Sequence, residues 1–287
     1  MHYPLDMCSF NPGAIKALAL DLDGTILQSG AVLGKRTVLT LRRAMDRGLR
    51  VILCTGRSPE SAEKYRALIN AQGPMIYFNG AMAADMPGGS IVNTVFLSNE
   101  IVAFCAETAL GLKVYFQSYF SRKSDFLRAA LFSCGSGPEA ELYRAHTGSL
   151  AQPADMGIFP EDPQYAGCLK GMFITGTEQM DEIRSRLLRR FGESVSITKS
   201  SPLFLEVLAQ GVSKGSALSL IMERLGLKPE EVIAFGDEEN DLPMFKAALH
   251  SAAPANAVPA VLSAAEFTVG SCDDEGVAAF LEKEILR

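Results

Sequence analysis

The chain has 287 residues, 48% hydrophobic and 21% charged, an ordinary globular composition that excludes a disordered or fibrous chain. That length suffices for one large α/β domain or two modest ones. Its formal net charge of -6 argues against a nucleic-acid or anionic-membrane partner, so an anionic substrate must be drawn by a metal, by individual Lys or Arg residues or by helix N-termini.

The first element is the apolar run Ile15-Lys16-Ala17-Leu18-Ala19-Leu20, which stops at Asp21-Leu22-Asp23-Gly24-Thr25. A nearly continuous apolar run predicts a strand buried on both faces. Two carboxylates at its end are costly to bury unpaired. They read either as an Asp-Gly turn leaving the strand or as a metal-and-phosphate site at the carboxyl end of a parallel sheet. A helix follows over about Lys35 to Arg47, stopped by Gly48. The second strand, Arg50 to Cys54, ends in Thr55-Gly56-Arg57. Ser58-Pro59-Glu60 then opens a helix with a capping serine, proline at the first position and acid in the first turn. Pro74 to Phe78 is the third strand, ending in Asn79-Gly80. Strand, helix, strand, helix, strand is the pattern of a doubly wound parallel sheet.

From about Ala83 to Pro202 the pattern loosens. Short strands are predicted at Ser90 to Phe96, Leu112 to Gln117, Gly171 to Thr175 and Val195 to Thr198, with helices at Asn99 to Leu110 and Glu178 to Phe191. Ser133 to Pro163, rich in Gly, Pro and Ala, takes no assignment. This stretch reads as a smaller α/β domain inserted into the first. The sheet pattern returns with a strand at Phe204 to Leu208 and a helix opened by Val212-Ser213-Lys214-Gly215 and closed by Gly226. A buried strand, Val232 to Phe235, ends in Gly236-Asp237-Glu238-Glu239-Asn240-Asp241. Phe267 to Val269 and Gly276 to Ile285 complete the chain as a strand and a helix.

In a parallel sheet the polar strand ends share one edge, which gathers Asp21, Asp23, Thr55 and Asp237. Such a carboxylate cluster repels itself unless a cation sits within it. Oxygen ligands without histidine or thiol fit Mg²⁺. Lys214 opposes the macrodipole of its own helix, and an anion there would be held by the ammonium and the free backbone N–H groups together. Each residue also has a plainer reading. Asp237 and Asp241 can cap the following helix. Thr55 and Asn79 can be turn residues, Cys54 a buried thiol, and Arg57 a surface arginine at a helix start. Arg122 and Lys123 read as a solvated loop. None of the six cysteines (Cys8, Cys54, Cys105, Cys134, Cys168, Cys272) forms a Cys-x-x-Cys pair, which argues for reduced, mostly buried thiols. The N-terminus lacks a basic region followed by an apolar stretch, and no apolar run would span a bilayer, so a cytoplasmic protein is expected.

Taken in order, Asp21-Leu22-Asp23-Gly24-Thr25, Thr55-Gly56-Arg57, Asn79-Gly80-Ala81, Gly211-Val212-Ser213-Lys214-Gly215 and Gly236-Asp237 to Asp241 resemble the haloacid dehalogenase-like superfamily, and within it the Cof-type sugar phosphatases. The resemblance implies a Rossmann-like core over 1–82 and 204–287 and an inserted α/β cap over 83–203 that shapes the substrate pocket. It implies Asp21 as a nucleophile forming an aspartyl-phosphate and Asp23 as acid, then base. Asp21, the Asp23 backbone carbonyl and Asp237 would hold Mg²⁺. Thr55, Gly56 and Lys214 would bind the phosphoryl group with Asn240 nearby, Asn79 would support the site, and Asp241 would orient Lys214 or a metal-bound water. His250 to Ala257 departs from the family's Gly-x-x-Met-x-Asn-Ala pattern. The implied reaction is hydrolysis of a small phosphorylated metabolite, a sugar phosphate first, by a monomer or homodimer. The alternatives are a phosphomutase or phosphotransferase of the same fold, or a non-catalytic phospho-ligand-binding regulator.

Overall fold

Strand β1 (Ala17–Leu20) is buried along its whole length; Leu18 and Leu20 enter one core, Ala17 and Ala19 another. The structure is a computed structural model and describes residues 10–135, 141, 143, 151–154 and 162–287. Cys8, the N-terminal segment and most of the unassigned stretch between Ser133 and Pro163 lie outside the described residues.

The remaining strands, in chain order, are β2 (Leu27–Gln28), β3 (Val32–Leu33), β4 (Arg50–Leu53), β5 (Gly73–Tyr77), β6 (Met82–Met86), β7 (Ser90–Thr94), β8 (Tyr115–Arg122), β9 (Asp125–Cys134), β10 (Gln152–Pro153), β11 (Tyr165–Ile174), β12 (Val195–Ser201), β13 (Phe204–Ala209), β14 (Val232–Phe235), β15 (His250–Pro254) and β16 (Phe267–Val269). Five of them form a parallel sheet in the order β16-β15-β14-β1-β4. A parallel bridge between Cys54 and Ile76 attaches β5, which carries the antiparallel strands β6 and β7. A second sheet, in the order β10-β9-β8-β11-β13-β12, is antiparallel apart from its β10–β9 pair.

Three cores follow from these layers. Helix Lys214–Leu225 packs Leu218, Ile221 and Met222 on the Ala17 and Ala19 face of the parallel sheet. Helices Asn99–Leu112 and Thr177–Phe191 cover the outer face of the antiparallel sheet, against Phe116, Phe120 and Phe173. The third core runs from Leu18 and Leu20 to Tyr115, Tyr119 and Met172, and so joins the two sheets. The predicted α/β fold with a doubly wound parallel sheet is therefore observed, with the smaller layer beside it.

The elements differ from expectation at several points. Phe204–Ala209 is an interior strand of the antiparallel sheet and does not belong to the parallel one. Leu205 and Val207 face the outer core, while Phe204 and Leu208 enter the core between the sheets and Glu206 is buried on that same face. Residues 83–94, expected within the insert, pair with β5 beside the parallel sheet. The helix from Asn99 runs through Gly111 and closes only at Lys113, whose φ of 55° is left-handed, so β8 starts at Tyr115 and not at Leu112. Strands β9 and β15 carried no prediction. The last helix is α-helical over Gly276–Phe280 and widens into a π turn over Leu281–Ile285. Among the described residues no helix is long and apolar enough to cross a membrane.

Gly215 marks the closest contact of helix Lys214–Leu225 with helix Leu242–Ala247. A Cβ there would lie 2.1 Å from the Pro243 carbonyl oxygen, whereas one at Gly176 would meet nothing within 4 Å. Gly215→Ala should cost about 1–3 kcal/mol and lower the melting temperature by roughly 2–10 °C, while Gly176→Ala should shift it by less than about 2 °C. Thermal melts of both variants check this.

Candidate active site

Pairing of β1 with β14 and β4 brings the polar strand ends together. Leu20 stands beside Phe235 and Leu53, so Asp21 follows next to Gly236 on one side and Cys54-Thr55 on the other. Asp21 is anchored by its own N–H, which donates to the Phe235 carbonyl at 3.0 Å. Lys214 reaches the same point from another element. Ser213 caps its helix by accepting from the Ser216 N–H at 3.0 Å, and Lys214 extends into the sheet edge with 1% exposure. Its Nζ donates to Asp21 Oδ1 at 2.5 Å and to Asp241 Oδ1 at 2.7 Å. The second oxygen of Asp241 accepts the backbone N–H groups of Asp237 and Glu238, at 2.9 and 3.2 Å. Asp241 thus closes its own loop and contacts the lysine at once, but it makes no side-chain cap on helix Leu242–Ala247, the plainer role read for it from sequence.

The site carries excess negative charge. Burial holds the Asp21 carboxyl well above the usual carboxylate range; Lys214 opposes this, and Asp241, Asp237 and Asp23 add to it. Burial and Asp241 push Asp237 up to about 7, against the 2.8 Å hydrogen bond it accepts from Thr25 Oγ1. For Lys214, burial disfavours the charge, but Asp21 and Asp241 outweigh it and hold the ammonium above its ordinary value. Oxygens of Asp21, Asp237 and Asp241 lie within 4.8 Å of one another. A hard, all-oxygen set whose charge one lysine does not balance fits a divalent cation, so this cluster could hold a metal. Gly24 makes room for it: with φ of +77°, it turns the chain where a Cβ would fall 2.2 Å from Asp237 Oδ2. Asn256 pins this turn from below, donating to the Gly24 carbonyl at 2.8 Å and accepting the Cys272 N–H at 2.9 Å. The departure of His250 to Ala257 from the family pattern therefore leaves that support in place.

A cavity of about 220 Å³ opens over this edge. Asp21, Asp23, Gly56, Asp237 and Asn240 line it, together with Arg57, Tyr143, Lys170, Met172, Ser200 and Glu206 among others. Thr55, Asn79, Lys214 and Asp241 pack behind that wall, all nearly inaccessible. Thr55 Oγ1 accepts the Arg57 N–H at 3.1 Å. Asn79 does have the turn geometry expected of it, with φ of 54°, and it also works as a linker. Its Nδ2 donates to Glu206 at 2.7 Å and its Oδ1 accepts from Asn240 at 3.0 Å.

Three residues beyond the expected set contribute. Arg57, read from sequence as a surface arginine, is 8% exposed and donates to both Asp23 oxygens at 2.6 Å. Lys170 and Glu206 form an ion pair at 2.8 Å with both side chains 3% exposed. They stand on β11 and β13, at or beside stretches predicted as strands but given no site role. Glu206 in an otherwise apolar strand was the available signal. Arg122 and Lys123 are not among the described residues that line the cavity; Arg122 lies over the Tyr165 ring and the Lys123 N–H donates to the Gln164 carbonyl. Cys54 is a buried thiol, as expected, and burial pushes its pKa up.

The profile of the haloacid dehalogenase-like hydrolases matches residues 18–281. An HMP-PP phosphatase of Serratia proteamaculans is 30% identical, over 92% of this chain and 93% of its own length. The 5-amino-6-(5-phospho-D-ribitylamino)uracil phosphatase YwtE of Bacillus subtilis is 25% identical, over 94% and 98%. A haloacid dehalogenase-like hydrolase from Bacteroides thetaiotaomicron superposes with a TM-score of 0.79 at 26% identity, covering 94% of this chain and 99% of that one. The matched span holds every strand end from Asp21 to Asp241, and phosphatases align with nearly the whole chain. By these matches the chain belongs to the haloacid dehalogenase-like hydrolase family, as a Cof-type phosphatase.

Proposed function

We propose that the protein hydrolyses a small phosphorylated metabolite, a sugar phosphate first among them, through a phosphoryl-enzyme on Asp21 and with Mg²⁺ as cofactor. The observation that carries this reading is the Lys214 ammonium shared between Asp21 and Asp241 beside Asp237, directly beneath a cavity sized for a small molecule and lined by Asp21 and Asp237. The antiparallel layer, including Phe204–Ala209, serves as the cap that shapes the substrate pocket. Its contribution to the cavity mixes hydroxyl groups (Ser200, Ser201) with apolar ones (Met172, Phe204), which suits a hydroxylated carbon skeleton.

In the first step an Asp21 oxygen attacks phosphorus, the bond from phosphorus to the ester oxygen breaks, and Asp23 gives its proton to the departing alcohol. In the second, Asp23 takes a proton from water, which attacks the phosphoryl group and returns Asp21 as a carboxylate with release of phosphate. Lys214, Thr55 and the backbone at Gly56 hold the phosphoryl oxygens, with Asn240 nearby. Asp21, Asp237 and the Asp23 carbonyl would hold Mg²⁺, with Asp241 orienting Lys214; the ion supplies charge neutralisation at the phosphoryl oxygens. Arg57 holds the Asp23 carboxylate between both its N–H donors and so fixes its place at the cavity wall.

Phosphate release from a panel of sugar phosphates, with and without Mg²⁺, tests the reading. Asp21→Asn should lower turnover by about 10⁴-fold or more while the protein remains folded. Wild-type turnover in that variant would remove Asp21 as nucleophile, and isomer formation from a sugar bisphosphate would reveal a mutase. Asp23→Asn should lower kcat/KM for alkyl phosphates by roughly 10²–10⁴-fold. For p-nitrophenyl phosphate, whose leaving group needs little protonation, the loss should be much smaller; equal losses would deny Asp23 the acid role.

A pH dependence follows from the raised carboxyls. Asp21 and Asp237 bind protons more tightly folded than unfolded, so the contribution of these two groups to metal-free stability is fully present below the ordinary 3.8 and is lost as pH rises through about 7. Millimolar Mg²⁺ should therefore raise the melting temperature at pH 8 and much less at pH 5, where protons compete for the same oxygens. Melts in EDTA and in Mg²⁺ across this range check it, and an equal shift at both pH values would contradict it.

A further inference from the structure

We propose that Lys170, borne on the antiparallel sheet, is a positioning residue for the Thr55 hydroxyl and acts through the Gly56–Arg57 peptide plane. The proposal rests on the reading above, in which Thr55 and Gly56 hold the phosphoryl group. Lys170 Nζ donates to the Gly56 carbonyl at 2.7 Å. The amide on the other side of that same peptide, the Arg57 N–H, donates to Thr55 Oγ1 at 3.1 Å. A peptide unit is planar, so fixing its oxygen fixes the direction of its N–H. With Oγ1 engaged as an acceptor by that N–H, the hydroxyl hydrogen of Thr55 is left to donate to a phosphoryl oxygen. The lysine thus sets the orientation of a hydroxyl it does not touch.

Lys170 is built to hold this position. Strand β11 has a register shift between Cys168 and Lys170, the type of irregularity that re-aims a side chain. The ammonium lies 5.1 Å from the Tyr119 ring centroid and pairs with Glu206 at 2.8 Å. Glu206 is held in turn by Ser200 and by Asn79. Asn79 braces the turn from a second direction, because a Cβ on Gly56 would sit 3.0 Å from its Oδ1. A buried charge with two strong acceptors and an aromatic face has little freedom to move. Its pairing with Glu206 also leaves no net charge beside the phosphate site, which suits a role in orientation over one in anion attraction.

The test is a mutant cycle between Lys170 and Thr55. Lys170→Met alone would strand Glu206 as an unpaired buried carboxylate, so the working variant is Lys170→Met with Glu206→Gln, which keeps an acceptor for Asn79. This pair should melt within a few degrees of the wild type. Its kcat/KM should fall about 10–100-fold, equally for p-nitrophenyl phosphate and for sugar phosphates, and inhibition by inorganic phosphate should weaken alongside. Thr55→Val should cause a comparable loss in the wild type and little further loss in the Lys170→Met/Glu206→Gln background, since both changes remove the same oriented hydroxyl. Losses that multiply across the two sites would overturn the proposal. So would a loss confined to sugar phosphates, which would make Lys170 a contact for the leaving group, or full activity in the paired variant. If Thr55→Val in the wild type spares both turnover and phosphate inhibition, the assignment of Thr55 fails first and the proposal falls with it, an outcome distinct from independence of the two residues.

Discussion

The buried ammonium of Lys214 between Asp21 and Asp241 is the constraint from which the site is built. A lysine at the first position of a helix works against the helix dipole, and one with 1% exposure has also lost its water. Both costs are offset because two carboxylates converge on it, Asp21 from the end of β1 and Asp241 from the 3-10 turn that follows β14. Asp241 can do so only because its second oxygen ties together the backbone of Asp237 and Glu238. One ion triad therefore docks the helix Lys214–Leu225 onto the ends of β1 and β14 and shapes the loop that presents Asp237.

The triad does not balance the charge. Asp21 and Asp237 remain raised, and no cation other than Lys214 meets Asp21 among the described hydrogen bonds and ion pairs. This imbalance is the electrostatic signature of a site completed by what it binds. Phosphoryl transfer proceeds by positioning and by neutralising oxygen charge, and a rigid cluster of carboxylates with one lysine is suited to hold a metal against a phosphate. Asp23 is not one of the three clustered carboxylates and is paired with Arg57 instead.

The antiparallel layer enters the site through residues that are themselves fixed. Lys170 and Glu206 belong to β11 and β13, next to each other in the sheet, and they meet Gly56 and Asn79 of the parallel layer. A continuous apolar core joins the same two layers. The Thr55–Arg57 turn is thus held from both layers at once.

The sequence by itself determined the class of the fold and the residues at the floor of the site. Continuous apolar runs such as Ala17–Leu20 and Val232–Phe235 can be satisfied only by burial on both faces, and polar residues placed at their ends must gather on one edge of a parallel sheet; no tertiary information is needed for that step. The motif residues Asp21, Asp23, Thr55 and Asp237 were legible for this reason, and Lys214 because it opposes the dipole of its own helix. What only the tertiary structure decided was pairing between segments far apart in the chain. Phe204–Ala209 reads as a buried strand, and nothing local says which sheet accepts it. Arg57 looks like a surface helix start until Asp23, 34 residues earlier, meets it at 2.6 Å. Glu206 stands out as a charge in an apolar strand, but its partner Lys170 is named only by the register of β11 against β13 and the shift between Cys168 and Lys170. Local pattern records whether a residue is to be buried; the partner that makes a buried charge affordable is set by long-range register, which that pattern does not encode.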